Sequence, residues 1–497
     1  MTAIEPLAQP SHAHSAKQEM ARFASQAVRE KVVLLFALAI VAAGLAVRLW
    51  RAGGPLTLDE IWSIENITPL HHFWQVFWGI SHDNNHFLNS LWLYFATGFS
   101  DDVRVFRAPS IVMGALTIVV MARLAGRAGR AAAMAAAAMT GASYFLVNYS
   151  VEARGYAGLA LAIVVCFEAL ETSLAHRDSR ARFVFAGAAG LGALWHLAML
   201  PAVALLALVH LGEEKRRNKH WATAVNETVH FLAPAILAVI PAIGFIFAGA
   251  FVVGRFTIGG ARAFEAQEAL NAIASLVRNT IGAPDAASTG LVLVATALVI
   301  ALALRFRLAS PDRRIAYAVI LLALPAAVFV LRPPNAHIAR YYLICALFLI
   351  LLAAEIFGRL WRAGGLVRWG ALAVLALILL GDIGKLGLGG ASADEGWPQA
   401  LSTISASGER TVGSNFDDRV GKFVAYYNRA HPPLDLVART EWCVRRPRWL
   451  IAELPDGAQA PPDLDLPAGD CRTRFDFVGR YQAWGLSQMT WALYRAP

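Results

Sequence analysis

Charge is what this sequence is shortest of. Of 497 residues, 16% are charged and 57% hydrophobic, against about 25% charged in ordinary soluble domains. That imbalance excludes a soluble globular chain and leaves a polytopic α-helical membrane protein. Other absences narrow the reading. No small-residue cleavage site stands between the polar residues 1–31 and the apolar run after them, so the first span is expected to be retained, with its N-terminus in the cytoplasm. No internal repeat is visible, and the inverted-repeat signature common among secondary transporters is missing. Cysteine is scarce, at four residues. Cys166 and Cys345 lie in apolar runs, where a small buried residue is expected. Cys443 and Cys471 lie in a polar tail, where they are expected to form a disulfide if the tail is extracytoplasmic. The net charge of +9 comes from short basic clusters between apolar runs, which speaks for membrane orientation and against a nucleic-acid partner.

Against this background Leu56-Thr-Leu-Asp-Glu-Ile-Trp-Ser-Ile-Glu65 stands out. It follows the apolar run Val32 to Trp50, long enough to cross a bilayer, and puts Asp59 and Glu60 at a membrane surface. Charge there is costly without a purpose. Thr57-Leu-Asp-Glu60 fits a capping box, so Glu60 is either a cap or a second functional carboxylate. Asp59 is not needed for the box. The helix dipole would keep its carboxylate ionised, as suits a metal ligand or a general base.

Alternating apolar runs and basic clusters predict about eleven crossings, with every dense basic cluster on the cytoplasmic side. Residues 51–104 form a first outer loop. Within it His86 to Phe99 is too short to cross and is expected to lie along the interface, with Leu88, Leu91, Trp92, Phe95 and Phe99 on one face and Asn85 and Asn89 on the other. Phe183 to Leu211 is read as a hairpin broken near Trp195-His196, because one span would put Lys215, Arg216, Arg217 and Lys219 outside. Gly254 to Pro284 is read as an outer loop. The division expected is a cytoplasmic segment 1–31, a transmembrane unit 32–388, and a small extracytoplasmic α/β domain 389–497. Thr411-Val-Gly-Ser, Trp449 to Leu454 and Thr490 to Tyr494 read as strands of that domain, Asp417 to Asn428 as a helix, and the residues around Pro461-Pro462 as a loop.

This topology gathers a short set of polar residues at the outer ends of the spans: Asp59 and Glu60, His82 to His86, Arg107, Glu152 and Arg154, His196, and Arg332 to Tyr342. Arg forks suit a phosphate at a membrane surface, a carboxylate suits activation of a hydroxyl, and two or three of the Asp, Glu and His residues would suit a divalent ion. Plainer roles stand beside these. Arg107 and Arg332 could snorkel to headgroups, His196 could be an interfacial residue, and Glu152 and Arg154 could pair with each other in an exposed turn.

Six pieces, LTLDEIWS at 56–63, HDNNHFLNSLW at 82–92, VRVFRAPSIVMGALT at 103–117, NYSVEARGYAGLALA at 148–162, ALWHLAM at 193–199 and ARYYL at 339–343, carry a resemblance. In this order the chain resembles the GT-C superfamily of polyprenyl-phosphate-sugar-dependent membrane glycosyltransferases, in its branch of protein mannosyltransferases and lipid A aminoarabinose transferases. The resemblance implies an inverting transferase of the bacterial inner membrane, with Asp59 as base. The donor would be a polyprenyl-phosphate-linked sugar, and the acceptor a periplasmic or outer-leaflet lipid, glycan or protein. The expected site has Asp59 and Glu60 as catalytic carboxylates and Arg340, Tyr341, Arg154 and Arg107 at the donor phosphate. Glu152, His196 and Asn84 are assigned to acceptor or sugar, and Asp59, Asp83 and His86 to a divalent metal ion. The chain departs from many relatives in having His86-Phe87-Leu88 where they have His-Pro-Pro, and in lacking a Glu-Lys near Asp83-Asn84. The alternative is a transporter or flippase for a lipid-linked anion, in which the same arginines bind cargo and no bond changes.

Overall fold

The computed structural model describes residues 31, 34–80, 85–218, 220–254, 262–387, 394–454, 459–468 and 471–497. The expected site residues Asp83 and Asn84 lie outside the described residues, as does the side chain of Cys471. Cys443 is disulfide-bonded.

Most of the chain is helix, as its apolar runs require. Among the described residues seven helices are long and apolar enough to cross a membrane, or up to eight if a bent pair counts as one span. These include α1 (Leu34–Arg51), Val103–Gly126, Tyr156–His176 and Trp221–Val252, followed by Pro311–Leu331, Ala339–Ala363 and Gly365–Gly387. The bent pair is Arg130–Ala142 with Tyr144–Ser150, which meet at 58°. The count falls short of eleven because Ala181–Trp195 and Thr289–Arg305 are shorter, and Met199–Asn218 ends in a charged turn that includes Lys215, Arg216 and Arg217. The break expected near Trp195-His196 is present, with His196 extended between two helices. Gly254 to Pro284 is not simply loop. It contains the helix Ala266–Thr280, which buries Ala269, Ala272, Leu276 and Val277.

The basic turns meet at one end. Arg313 is buried and donates to Glu171, to Glu355 (2.6 Å) and to the Leu124 carbonyl (2.8 Å). Arg127 reaches the same Glu171 (2.7 Å), and Arg216 joins Glu213 to Asp312. The helix from Pro311 contains a π-helical stretch, Ala318–Ala323. Pro325 follows it, and the missing N–H and ring clash of a proline account for the wider turn.

At the opposite end lie α2 (Leu58–Ile67) and α3 (Phe87–Ala96). The α3 stripe is inside out. Phe95 and Phe99 are exposed while Asn89 is fully buried and donates to the Ala153 carbonyl (2.6 Å), as suits a helix whose outer neighbour is lipid and whose inner neighbour is a polar site. The tail forms a six-stranded mixed sheet in the order β2-β1-β3-β6-β5-β4. Its strands are β1 (Thr411–Ser414), β2 (Asp435–Leu436), β3 (Trp449–Leu454), β4 (Asp463–Ala468), β5 (Cys471–Gln482) and β6 (Thr490–Arg495). β1 runs parallel to β2 and β3, and the other pairs are antiparallel. The residues after Pro462, read as loop, are the edge strand β4. Asp463 and Asp465 mark it as a charged edge that discourages further pairing.

The sheet unit sits directly on α2. Ile61 and Ile64 share an apolar cluster with Trp397, Leu401, Phe423 and Val424. Trp397 Nε1 donates to the Leu56 carbonyl (2.8 Å) and Gln488 Nε2 to that of Pro55 (3.0 Å), while Lys422 pairs with Glu65 (2.6 Å).

Candidate active site

The two carboxylates that open α2 have separate fates. Glu60 closes the capping box with Thr57 and is fully buried. Its Oε1 accepts from Arg107 Nε (2.8 Å) and the Ala153 amide (2.6 Å), and its Oε2 from Arg107 Nη2 (2.7 Å) and the Thr57 amide (2.8 Å). Burial alone would raise this carboxyl, but the Arg107 charge and these hydrogen bonds outweigh it and hold it below its usual range. Arg107 is spent in turn. Its remaining N–H groups reach the carbonyls of Ala52 (3.0 Å), Gly54 (2.7 Å) and Pro55 (2.9 Å), so all five donors of its fork are used. The structure therefore places Glu60 and Arg107 in the frame that holds the Ala52–Thr57 turn and the Ala153 backbone, with no donor or acceptor left for a substrate.

Asp59 points the other way. It is 31% exposed and accepts from Arg154, and Arg340 Nη2 stands 3.1 Å from the same oxygen. Burial pushes its carboxyl up, and the two guanidinium charges more than reverse this, leaving Asp59 ionised below the ordinary range. The expected Glu152–Arg154 pair in an exposed turn is not formed. The turn is buried and Arg154 belongs to Asp59.

Glu152 accepts from Asn148 Nδ2 through Oε1 (2.9 Å), while its Oε2 is buried without a hydrogen bond. Burial, with help from the Glu60 charge, pushes its carboxyl up to about 7. Asn148 in turn accepts from the Leu486 amide of the tail (2.8 Å). His196 accepts the Ala198 amide at Nδ1 (3.0 Å). Burial and the charges of Arg154 and Arg340 depress its ring to about 3, so the neutral ring carries its proton on Nε2, which is buried and unpaired. His86, 5.4 Å away ring to ring, is likewise held neutral, chiefly by burial. Tyr341 is half-buried in the same short helical turn as Arg340.

Sequence reasoning passed over Tyr156. Its ring lies 5.2 Å from the Arg154 guanidinium carbon, 5.6 Å from that of Arg340 and 4.5 Å from the His196 ring. It therefore sets the spacing of the two cations. The signal was its place in the Glu152-Ala-Arg-Gly-Tyr156 piece, where Gly155 also matters, because a Cβ there would collide with the Trp195 carbonyl. Asn89 and Asn148 were passed over as a site residue and as the link to the tail.

Among the buried hydrogen-bonding atoms without a partner, Arg154 Nε, Arg340 Nε, Tyr156 Oη, His86 Nδ1, His196 Nε2 and Glu152 Oε2 lie in this region. Unpaired buried polar atoms are few in folded proteins and mark places where a ligand supplies the missing partner. The set offers two cations, neutral imidazoles, one ionised carboxylate and one near neutrality. Asp59 is held by two arginines; among the described residues no three His, Cys, Asp or Glu side chains come together to hold an ion, and Asp83, one of the three expected ligands, lies outside the described residues. Beside Tyr342 an apolar cavity of ≈ 240 Å³ opens between helices, lined by Phe329, Pro325, Cys345 and Leu349 among others.

No family model matches the chain, and no curated protein matches it. Among solved structures the chain is similar to the archaeal oligosaccharyltransferase AglB from Archaeoglobus fulgidus in complex with an inhibitory peptide and a dolichol-phosphate, over 86% of this chain and 70% of that one, at 12% identity and a TM-score of 0.44. It is also similar to ArnT from Cupriavidus metallidurans in the apo state, over 94% of this chain and 98% of that one, at 14% identity and a TM-score of 0.45.

Proposed function

We propose that the chain is an inverting membrane glycosyltransferase that moves a sugar from a polyprenyl-phosphate donor to an acceptor on the outer leaflet or in the periplasm. The observation that carries this reading is Asp59, ionised and partly exposed between Arg154 and Arg340. In this arrangement the carboxylate occupies the place a phosphate would take. An arriving donor phosphate competes for both guanidinium groups, which form forked hydrogen bonds to phosphate. Once they turn to it, Asp59 loses the charges that depress its basicity and becomes able to take a proton. The acceptor O–H then gives its proton to Asp59, and its electron pair forms the bond to the anomeric carbon. The bond from that carbon to the phosphate oxygen breaks with its pair remaining on the phosphate, and configuration inverts. Arg154, Arg340 and Tyr341 stabilise the departing phosphate. His196 Nε2–H and Glu152 Oε2 are the free donor and acceptor for sugar or acceptor hydroxyls, and the cavity beside Tyr342 suits an isoprenoid chain. The basic end faces the cytoplasm and the site with its tail domain faces the periplasm, in a bacterial inner membrane.

The test is turnover of a synthetic polyprenyl-phosphate sugar by the full-length protein in detergent, read as released polyprenyl phosphate. Asp59→Asn is expected to lower turnover by ~10²-fold or more while leaving the unfolding temperature near that of the wild type. Near-normal turnover in this variant would remove Asp59 as the base. Movement of the lipid between leaflets without bond cleavage would replace the enzyme by a transporter.

A further inference from the structure

Among the described candidate spans, Gly365–Gly387, which leads into the tail, is the least buried. Side chains tie its tail-side end: Asp382 accepts the Tyr144 amide (3.0 Å), and Lys385 pairs with Asp285 (2.6 Å) and donates to Asn279 (2.8 Å). Toward its basic end a groove of ≈ 380 Å³ opens between this helix, α1, Arg130–Ala142 and Ala339–Ala363, lined by Phe36, Ile40, Ala138, Phe357 and Leu372 among others. Phe36 is exposed, so the groove opens sideways toward lipid. From Arg130 to Ala138 its wall advances ~12 Å along the helix, most of the ~15 Å that one leaflet contributes to a bilayer's hydrocarbon core. The space suits a single acyl chain.

Three guanidinium groups meet at its basic end. Arg130 lies on the lining together with Trp361. Arg368 stands over the Trp361 ring at 5.1 Å and donates to the Trp361 carbonyl (3.2 Å). Arg362 donates to the carbonyl of Ala128, two residues before Arg130. The hydrogen bonds of Arg362 and Arg368 thus go to carbonyls, and neither residue forms an ion pair with a described residue. The flanking sequence has no acid to offer, because no Asp or Glu occurs from 103 to 151 or from 356 to 381. Neighbouring arginines at the same end do meet carboxylates: Arg123 has Glu168, Arg127 has Glu171, and Arg313 has Glu171 and Glu355. Positive charge is therefore in excess where the apolar groove ends.

We propose that this groove binds one anionic phospholipid of the leaflet at the basic end, with its phosphate among Arg130, Arg362 and Arg368 and one acyl chain along Ala138 and Leu372. Guanidinium forks bind phosphate oxygens, and Trp361 takes the headgroup-level place that amphipathic rings favour. A zwitterionic headgroup would bring a cation toward the same arginines, so the site selects for net negative charge, as basic pockets between spanning helices do. The lipid fills the seam between the last span and α1. The site lies at the opposite end of the bundle from Asp59, and it stands whether or not the enzymatic reading holds.

The experiment is native mass spectrometry of the delipidated full-length protein, titrated with phosphatidylglycerol and phosphatidylcholine of identical chains. A basic residue near the surface contributes roughly fivefold, so the first phosphatidylglycerol adduct is expected to form at about tenfold lower concentration than the first phosphatidylcholine adduct. Arg130→Gln with Arg368→Gln should remove most of that preference. Ala138→Phe, which fills the groove and leaves the arginines in place, should weaken the first adduct as well. Arg180→Gln with Arg305→Gln, two exposed arginines outside the groove lining, should leave it unchanged. If Ala138→Phe does not fold, the two arginine pairs decide the matter. Three results overturn the proposal: equal binding of the two lipids by the wild type, an equal loss in both arginine pairs, which would show diffuse attraction to charge, or displacement of the first lipid by millimolar inorganic phosphate, which would show an anion site without a lipid.

Discussion

Glu60→Gln separates frame from chemistry more sharply than any other single change. Four N–H donors converge on the two carboxylate oxygens: two from Arg107 and one each from Thr57 and Ala153. Glutamine has one oxygen. Whichever way its amide is turned, two of those donors face an NH₂, and the fully buried Arg107 loses its counter-charge. Removing one partner of a buried pair costs about 3–5 kcal/mol, so a fall of several degrees in unfolding temperature is expected. Asp59 and its two arginines are left in place, and the surviving folded fraction should keep much of its turnover per molecule. The difference from wild type should also depend on pH. A carboxyl held below its usual range contributes stability above its unfolded pKa of about 4.3, and loses it as pH falls through the lower folded value. The two proteins should therefore converge in acid. Glu60→Gln with Arg107→Met, which removes both charges, should recover part of the loss, and a double-mutant cycle measures the coupling. The assay is thermal unfolding and turnover on the same purified samples. A Gln variant as stable as wild type but inactive would refute the frame role and make Glu60 a reacting group.

Other expectations follow from the same geometry. Arg340→Lys keeps the charge but loses the fork and the contact with Tyr156, so it should raise the apparent donor constant without a matching change in acceptor dependence; wild-type donor kinetics would remove Arg340 from the phosphate site. Glu152 binds its proton more tightly folded, with a value near 7, than unfolded, so the stability it contributes is full below about 4.5 and is lost as pH rises through about 7. Glu152→Gln mimics the protonated form and should gain on wild type across that interval in thermal unfolding, whereas a constant offset would show that Glu152 does not titrate there. A reporter fused after Pro497 should report an extracytoplasmic tail, and a cytoplasmic signal would overturn the orientation.

What was legible in the sequence was what periodicity and charge can encode. The apolar runs became helices, the basic turns met at one end, and Thr57-Leu-Asp-Glu60 became the capping box its spacing predicts. The break at Trp195-His196 followed from counting charges. What stayed hidden depended on partners far away in sequence. Nothing local tells that Arg107 is spent on three carbonyls and Glu60 while Arg340 is not, because each looks like an arginine at the end of an apolar run. The stripe on α3 was visible but its sense was not, since an amphipathic helix beside lipid turns its apolar side outward. β4 was hidden by Pro461-Pro462 and its aspartates, which signal a loop unless the strand lies at an edge.

The seating of the sheet unit on α2 bears on how the protein could be shortened or recombined. The helix that carries Asp59 shares its hydrophobic cluster with the tail, for the residues grouped with Ile61 and Ile64 include Trp397, Phe423 and Val424, which arrive more than three hundred residues later in the chain. A ribosome has finished every other candidate membrane helix before the partner of α2 exists. Until the tail folds back, part of that face is uncovered and Asp59 is on a turn without its tail support. The Asp59 region is thus assembled from the two ends of the chain inward, and a protein cut after Gly387 would be expected to insert yet leave α2 without its tail partners.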